Sequence, residues 1–340
     1  MTDLITVVYP DDRGVRIWSD LALNTEVPGQ WPYGLEGMRT AASQVTYKDV
    51  PSVPPAGKIA AIFGMYPNAR RVLSGTTSLT WDEGAAQRML YHAPAEKMYS
   101  GVIWSTDEIM RKENKLRNKA IRSGLRRMDG LWCLSKAQVH PLADWLDVSA
   151  QKIEYLPFGI DHEYFKPDHY PPEPMILSVG NDADRDIKTL FQAMSKIHSK
   201  FPDIRIVVQT NSNLTAPEGV QKIARVPHVD LKKLYTRAAV VVVATRMNLH
   251  GSGMTVALEA AASGRPVVIT ATPGIDHYVD DGVTGYLVPP EDADTLANKA
   301  MSILRDPVAG AQMGLQGRRR IEEYFNTRRM AKDIVAMVGV

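Results

Sequence analysis

The second half of the chain alternates short apolar runs with segments of helical character, and this alternation restricts the fold more than any other feature. The apolar runs, each a strand candidate, occupy residues 175–179, 204–209, 239–244, 266–270 and 286–288. The helical segments occupy residues 187–200, 230–237, 254–263 and 292–305. A strand that is apolar on both faces must be covered by helices on both sides of its sheet. The order of the segments therefore predicts a parallel, doubly wound α/β sheet.

The first half shows the same alternation less regularly, and a proline-rich segment separates the two halves. Strand candidates lie at residues 5–9, 58–65, 71–74, 101–105, 131–135 and 153–156, and helices are predicted over 35–43, over 106–127 and up to Leu146. Residues 166–174 (KPDHYPPEP) are predicted to be an interdomain linker. A chain of 340 residues exceeds one ordinary core. Two Rossmann-like domains, 1–165 and 175–325, are therefore expected to face a ligand-binding cleft.

A glycine loop, made of Gly251, Ser252 and Gly253, precedes the helix predicted from residue 254. The first N–H groups of a helix have no internal partner, and glycines let a phosphate approach them closely. The loop therefore predicts an anion site, and Glu259 further along the helix would accept hydrogen bonds from a ribose of the same ligand. The alternative is an ordinary turn followed by a solvated glutamate.

Composition and charge exclude several classes of protein. A formal charge of +2 gives no bulk attraction to nucleic acid. No apolar run is long enough to span a bilayer, and the N-terminus lacks the pattern of a secretory signal. Cys133 is the only cysteine, so an internal disulfide is impossible. A cytoplasmic protein that binds no nucleic acid is expected.

One strongly basic run departs from this balance. It begins at Arg111 and ends at Arg127 (RKENKLRNKAIRSGLRR), and its only acidic residue is Glu113. A solvated helix face explains it. The alternatives are a contact with an acidic substrate or a peripheral contact with an anionic membrane, which would place the protein at the inner face of that membrane.

Several ordered segments resemble the nucleotide-binding domain of glycosyltransferase family 4, whose architecture is GT-B. They are LPFGIDHEYFKP from Leu156, ILSVG from Ile176, LKKLYTRAAVVVVATR from Leu231, GMTVALEAAASGRPVV from Gly253 and TPGIDHYVDDGVTGYLVPPEDADTLA from Thr272. The resemblance is colinear from Gly130 to the C-terminus and weak before it. It implies a GT-B fold, with a last helix in 326–340 that returns to the first domain. It also implies transfer of a hexose, with retention, from a nucleotide sugar (a UDP-sugar is favoured) to a glycan, lipid-linked or small-molecule acceptor.

The resemblance also implies a donor site without a metal or other cofactor. Its residues are Gly180, Arg185, Lys188, Val226, Pro227, His228, His250, Gly251, Ser252, Gly253, Met254, Thr255 and Glu259. Arg185 best matches a cation that binds the diphosphate and stabilises its leaving charge, with Lys188 as a substitute. Backbone groups of residues 226–228 match those that read the nucleobase, and Glu259 matches the glutamate that holds the ribose.

Two departures from the family pattern leave alternatives open. The position of the family's first glutamate is Gly251, and the position of its loop arginine is Asn181. A nucleotide-sugar epimerase of GT-B architecture and an inactive nucleotide-sugar-binding protein therefore remain alternatives to a transferase.

Three features near the glycine loop and the first C-terminal strand also fit roles that involve no donor. Asp182 and Asp184 have the D-x-D spacing of a metal site, although loop carboxylates are the favoured interpretation. Arg185 would otherwise be a surface arginine paired with Asp184 or Asp186, and His250 would otherwise pack against backbone.

The acceptor side rests on two loops. Trp31, Tyr33 and Gly34 lie in a glycine- and aromatic-rich segment, in which the aromatic rings, together with Trp81, would stack on an acceptor or pack in the core. A second set, predicted as a polar loop after a strand, consists of Ser74, Gly75, Thr76 and Thr77.

Overall fold

The computed structural model describes residues 4–42, 44–66 and 75–339. Within these residues the chain forms two compact units. The first comprises Met1–Thr25, Gly29–Pro157 and Thr327–Val340, and the second comprises Glu26–Pro28 and Phe158–Asn326.

The first unit contains a six-stranded parallel sheet with the strand order β2-β1-β3-β4-β5-β6. Its strands are β1 (Leu4–Pro10), β2 (Val45–Val50), β3 (Thr76–Thr80), β4 (Lys97–Gly101), β5 (Gly130–Cys133) and β6 (Ile153–Tyr155). In the register of the sheet, Ile5 lies between Val45 and Thr77.

Among the described residues of the first unit, six α-helices precede the sixth strand. They are α1 (Val15–Leu23), α2 (Pro55–Ile62), α3 (Glu83–His92), α4 (Ser105–Met110), α5 (Lys115–Leu125) and α6 (Lys136–Leu146). A 3-10 segment, Pro32–Thr40, is kinked at Tyr33 and Gly34, which both have positive φ. A core of buried side chains from strands and helices, including Val8, Leu90 and Leu131, fills this unit.

Residues 58–65 are not a strand, so that prediction is wrong. Pro55 occupies the first turn of α2, where a missing N–H costs nothing, and the short apolar run that follows suits a helix as well as a strand. The second strand is β2, whose polar, half-exposed sequence VTYKDV fits an edge strand that pairs on one side only. The predicted strand 71–74 lies outside the described residues.

The charged segment 106–127 forms two helices instead of one. The chain between α4 and α5 includes Lys112 and Asn114, whose φ values of 57° and 45° are incompatible with a continuous right-handed helix.

The second unit contains a second six-stranded parallel sheet, ordered β12-β11-β10-β7-β8-β9. Its strands are β7 (Met175–Ser178), β8 (Arg205–Gln209), β9 (Val220–Ile223), β10 (Ala238–Val243), β11 (Val267–Thr270) and β12 (Gly285–Val288). Its helices are α7 (Ile187–Lys200), α8 (His228–Arg237), α9 (Met254–Ala262), α10 (Ala293–Arg305) and α11 (Pro307–Glu323). All five predicted strands and all four predicted helices are present. The edge strand β9 and the helix α11 were not predicted.

The last helix, α12 (Thr327–Met337), packs on the 3-10 segment of the first unit. This contact is close, because a Cβ at Gly34 would lie 2.6 Å from the Thr327 methyl group and one at Gly37 would lie 3.2 Å from the Ala331 Cβ. No helix of the described residues is both long and apolar enough to cross a membrane.

The chain leaves the first unit after Pro157, earlier than the sequence places the domain boundary. Residues 158–165 belong to the second unit because Ile160 N–H donates to Phe325 O at 2.8 Å and the Phe165 ring packs edge-on against Tyr235. Residues of the proline-rich segment 166–174 are also held in this unit. Arg265 Nη2 donates to the carbonyls of Asp168 and His169 at 3.1 and 2.9 Å.

Candidate functional site

The candidate site lies at the carboxyl ends of the central strands of the second sheet. The chain runs from β7 outward to β8 and β9, and then returns to place β10 on the other side of β7. The strand order therefore reverses between β7 and β10, and such a switch point is the usual ligand position in sheets of this kind.

A cavity of about 370 Å³ opens at these strand ends. It is lined by Gly180, Asn181, Asp182, Arg185, Asp186, Ile187, Lys188, Thr210, Asn211, Ser212, Leu214 and Arg246. Lys188 is therefore in the lining, although it is exposed on the first turn of α7.

Backbone pairing fixes the position of Arg185. Asp186 N–H donates to Ala244 O at 2.9 Å, and Arg246 N–H donates to Asp184 O at 2.8 Å. Asp186 then caps α7, since its two carboxylate oxygens accept from the Thr189 N–H and hydroxyl at 3.1 and 2.6 Å. The loop and the helix start are thereby held as one piece.

The Arg185 guanidinium lies across two glycines. A Cβ at Gly180 would be 2.3 Å from its Nη2, and a Cβ at Gly253 would be 3.0 Å from its Nη1. Both glycines have positive φ, so side chains are doubly disfavoured at these positions. The guanidinium therefore occupies the space between the end of β7 and the start of α9.

Arg185 has buried hydrogen-bond donors that are not used. Its Nε and Nη1 have no hydrogen-bond partner among the described residues, and it forms no ion pair there with Asp184 or Asp186. Burial lowers its pKa, while Asp182, Tyr235 and Glu259 act in the opposite direction. An unsatisfied buried charge is costly, so this group is arranged to receive an anion.

Asp182 holds the glycine loop. Ser252 Oγ donates to its Oδ1 at 2.8 Å, His250 Nε2 lies 3.2 Å from its Oδ2, and Asp184 N–H also donates to Oδ1 at 2.8 Å. Burial alone would raise the pKa of Asp182, but the hydrogen bonds, that of His250 first, place it well below its usual range. The D-x-D carboxylate at 182 is thus engaged with protein groups, and His250 belongs to this network.

The glycine loop at the start of α9 is buried beside Arg185, and none of its residues is in the lining of the cavity. Gly251 and Gly253 have φ values of 69° and 93°, which glycine adopts without strain. Within the described part of the chain, no side chain caps the helix, whose first residues are Met254 and Thr255. The N–H groups of this turn add partial positive charge beside Arg185.

Glu259 is buried, which excludes the interpretation of a solvated helix residue. It is 7% exposed, and Tyr235 Oη donates to its Oε2 at 2.7 Å. Burial raises its pKa to about 7, against the lowering effects of Tyr235 and Arg185. Tyr235 was missed in the sequence. The sequence signal for Tyr235 was its position on the buried side of α8. That position did not indicate that its hydroxyl bonds Glu259.

The residues predicted to read the nucleobase lie at the start of α8. Pro227 precedes the helix and its carbonyl accepts from Leu231 N–H at 2.9 Å. Val226 and His228 flank it, and burial, followed by Arg225, lowers the pKa of His228. These three residues are not part of the cavity lining.

In the first unit, the aromatic acceptor candidates pack against each other. Trp31 is buried, with edge-on contacts to Tyr9 and Tyr47 at centroid distances of 6.5 and 5.2 Å. Tyr33 stacks on Trp81 at 4.4 Å. Core packing, the alternative left open by the sequence, therefore describes these rings.

The prediction that residues 74–78 form a loop after a strand is wrong. Thr76 and Thr77 are the first residues of β3, and Gly75 precedes them, so they lie at the amino end of a parallel strand. β-Branched threonines favour a strand, which the polar character of the segment concealed. Ser74 lies outside the described residues.

The carboxyl end of β3 instead leads to two acids that the sequence did not single out. Asp82 forms an ion pair with Arg13 at 2.7 Å. Glu83 is fully buried and accepts from the N–H groups of Ile103, Trp104 and Ser105 at 2.9, 2.9 and 2.7 Å. Glu83 thereby fixes the start of α4.

Comparison with known proteins identifies relatives that match part of the chain. Residues 173–306 match a family model described as "Glycosyl transferases group 1". The D-inositol 3-phosphate glycosyltransferase of Kribbella flavida is 28% identical over 217 residues, which cover 55% of this chain and 50% of that protein. The GDP-mannose-dependent alpha-(1-6)-phosphatidylinositol monomannoside mannosyltransferase of Mycolicibacterium smegmatis is 26% identical over 194 residues, or 49% of this chain and 50% of that protein. The chain thus spans about half the length of these relatives, and the predicted resemblance to glycosyltransferase family 4 is confirmed.

Solved structures resemble the whole chain. Sucrose-phosphate synthase from Thermosynechococcus elongatus superposes with a TM-score of 0.73 at 20% identity and covers 98% of both chains. HepE of Anabaena in complex with UDP-glucose gives a TM-score of 0.68 at 12% identity over 99% of both chains. With its two parallel six-stranded sheets, the chain has the predicted GT-B fold.

Glu259 gives the stability of the protein a specific pH dependence. Because its pKa rises from the ordinary 4.5 to about 7 on folding, the folded state binds more protons between these values. The free energy of unfolding therefore falls as pH rises through this window, by as much as about 3 kcal/mol. Glu259→Gln removes this contribution, so the variant should gain stability relative to the parent between pH 5 and pH 8. Urea denaturation at both pH values measures the difference, and parallel pH profiles would show that the carboxyl titrates normally.

Proposed function

We propose that this chain, whose second unit is related to group 1 glycosyl transferases, binds a nucleotide-sugar donor and transfers its hexose to an acceptor. A UDP-sugar is the favoured donor, and the acceptor is a glycan, a lipid-linked sugar or a small molecule. No metal or other cofactor takes part. The observation that carries the proposal is the Arg185 guanidinium, whose buried Nε and Nη1 have no hydrogen-bond partner among the described residues and lie beside the uncapped start of α9.

The diphosphate of the donor binds between Arg185 and the glycine loop. A guanidinium presents paired donors that match phosphate oxygens, and its burial strengthens these bonds. The first turn of α9 adds N–H groups and the positive end of a helix dipole. Lys188, in the lining of the same cavity, supplies a second cation.

Glu259 holds the ribose, and the start of α8 contacts the nucleobase. The bond between Tyr235 and Glu259 supports this assignment because it joins α8 to α9 within one unit. Val226 and Pro227 immediately precede α8 and His228 begins it, so their backbone groups adjoin the helix that this bond fixes relative to the ribose site.

The protein assists transfer by binding the leaving group. As the bond to the sugar breaks, negative charge develops on the diphosphate, and Arg185 with the start of α9 stabilises it. Backbone hydrogen bonds to residues 244 and 246 hold the loop that carries Arg185, so little reorganisation is required. No side chain is assigned as a covalent nucleophile.

An inactive donor-binding protein is the second candidate, since Gly251 lacks the family's first glutamate. Asp182 bears on this point because its carboxylate joins His250 to Ser252, the residues on either side of Gly251. A carboxylate is therefore present at the loop, although it comes from another segment. Incubation with the donor alone, followed by product analysis, separates the transferase from an epimerase. Donor consumption in the presence of a broad panel of acceptors separates it from the inactive candidate.

Arg185→Ala should weaken UDP binding by roughly one to two factors of ten, because a hydrogen bond to a charged group contributes about 1.5–3 kcal/mol. Binding of uridine, which has no phosphate, should change little. Calorimetry measures both ligands, with Arg205→Ala as the control because that exposed arginine bonds Gln221 outside the cavity. Parent-like UDP binding by Arg185→Ala would refute the donor site.

Transfer should persist in excess EDTA, since Arg185 and α9 supply positive charge and Asp182 already accepts hydrogen bonds from its own loop. The rate is measured with and without chelator. Loss of activity that Mg²⁺ or Mn²⁺ restores would instead identify Asp182 and Asp184 as metal ligands.

The product should keep the anomeric configuration of the donor sugar, as the resemblance to family 4 implies. Nuclear magnetic resonance of the first-formed product reads the anomeric coupling before mutarotation. An inverted linkage would contradict the assignment to this family's mechanism.

A further inference from the structure

The first unit carries a surface on which exposed apolar side chains adjoin lysines that form no ion pair within the described residues. It is formed where α2 packs against α5. Phe63, just after α2, lies under Lys119 of α5, with 5.7 Å from Nζ to the ring centroid. A Cβ at Gly64 would be 3.0 Å from Ser123 Oγ, which confirms that the end of α2 lies along α5. We call this the α2–α5 surface.

Three large apolar side chains project from the α2–α5 surface into solvent. Ile59, Phe63 and Leu116 are 60%, 68% and 67% exposed. Ile59 lies one helical turn before Phe63, and Leu116 lies one turn before Lys119, the lysine that covers Phe63. Single exposed apolar residues are ordinary, but a group of adjacent ones marks an interaction surface.

Cations converge beside these apolar residues. A cavity of about 330 Å³ between α4, α5 and α6 is lined by Ile109, Lys112, Glu113, Lys115, Asn118, Lys119, Arg122 and Trp145. Ile109 and Trp145 give it apolar walls, while four of its lining residues are basic. The cavity is therefore suited to a negatively charged group attached to an apolar one.

Among the described residues, the positive charges of the lysines that line this cavity are not balanced by ion pairs. Lys112, Lys115 and Lys119 form no ion pair among the residues that the structure describes. Three other cations of the basic run form ion pairs, Arg111 with Glu113, Arg117 with Glu108 and Arg126 with Asp147. Arg122 and Arg127 donate to the carbonyls of Trp145 and Gly64. Unpaired charge in the run is thus concentrated next to the exposed apolar side chains.

We propose that the α2–α5 surface docks on an anionic phospholipid bilayer. The three lysines bind lipid phosphates, and Ile59, Phe63 and Leu116 enter the boundary between head groups and acyl chains. Apolar side chains favour a bilayer over nucleic acid or an acidic polymer, which offer no hydrocarbon to receive them. This inference goes beyond sugar transfer and does not depend on the proposed donor site.

Sedimentation with vesicles tests the proposal on the full chain. The parent should bind vesicles containing about one-third phosphatidylglycerol and bind pure phosphatidylcholine vesicles much more weakly. The triple variant K112Q/K115Q/K119Q should bind anionic vesicles roughly 100-fold more weakly, at about fivefold per lysine. The control K200Q/K233Q/K332Q removes the same charge from lysines outside the surface and should bind like the parent.

A second variant tests the apolar half without changing charge. I59S/F63S/L116S should lose about tenfold or more in vesicle affinity, and all three side chains are exposed, so its melting temperature should match that of the parent. Failure of the parent to bind anionic vesicles would overturn the proposal. So would an unchanged affinity of the serine variant, or equal weakening by the two lysine triples, because the interaction would then be non-specific attraction to any polyanion.

Discussion

The second unit is organised around the Arg185 guanidinium, which has buried nitrogens and no counter-ion among the residues that the structure describes. Left in an apolar interior, such a group would be expelled or paired. Here the backbone around Arg185 prevents both outcomes, because residues 184–186 are bonded to 244–246 and Asp186 is committed to capping α7. Two glycines then leave room for the side chain. Because unsatisfied buried donors raise the free energy of the site, an anion that accepts hydrogen bonds from them can bind favourably there.

The acids around Arg185 are arranged to leave it available. Asp182 is occupied by His250 and Ser252, and Glu259 is occupied in part by Tyr235. Each carboxylate raises the pKa of Arg185 through space, yet within the described residues neither forms an ion pair with it. The two carboxylates thus stabilise the positive charge of Arg185 through space. They do not form a direct ion pair with it, which would compete with a ligand.

The local sequence was sufficient to predict most strands and helices of the second unit, because its strands are continuous apolar runs bounded by clear helix signals. It failed where two structures share one local pattern. Residues 58–65 suit a strand or a helix, and Thr76 and Thr77 suit a polar loop or a strand start. It also could not identify contacts between distant segments. Glu259 and Arg185 were found through a motif, but the bond from Tyr235 to Glu259 and the bond from Ser252 to Asp182 depend on folding, since they join residues 24 and 70 positions apart.

The two units differ in how many separate segments of the chain form them, because the last helix belongs to the first unit. The second unit is nearly one continuous stretch of chain, with only Glu26–Pro28 contributed from elsewhere, where Glu26 O accepts from Tyr164 Oη at 3.0 Å. The first unit is closed by α12, whose Met330, Ile334 and Val335 are buried. A genetic exchange that replaces residues 158–326 therefore carries nearly the whole second unit, whereas one that transfers only the N-terminal part omits α12, which packs on the first unit. Recombination can thus move the second unit almost entirely as one segment, but it must take both ends of the chain to move the first.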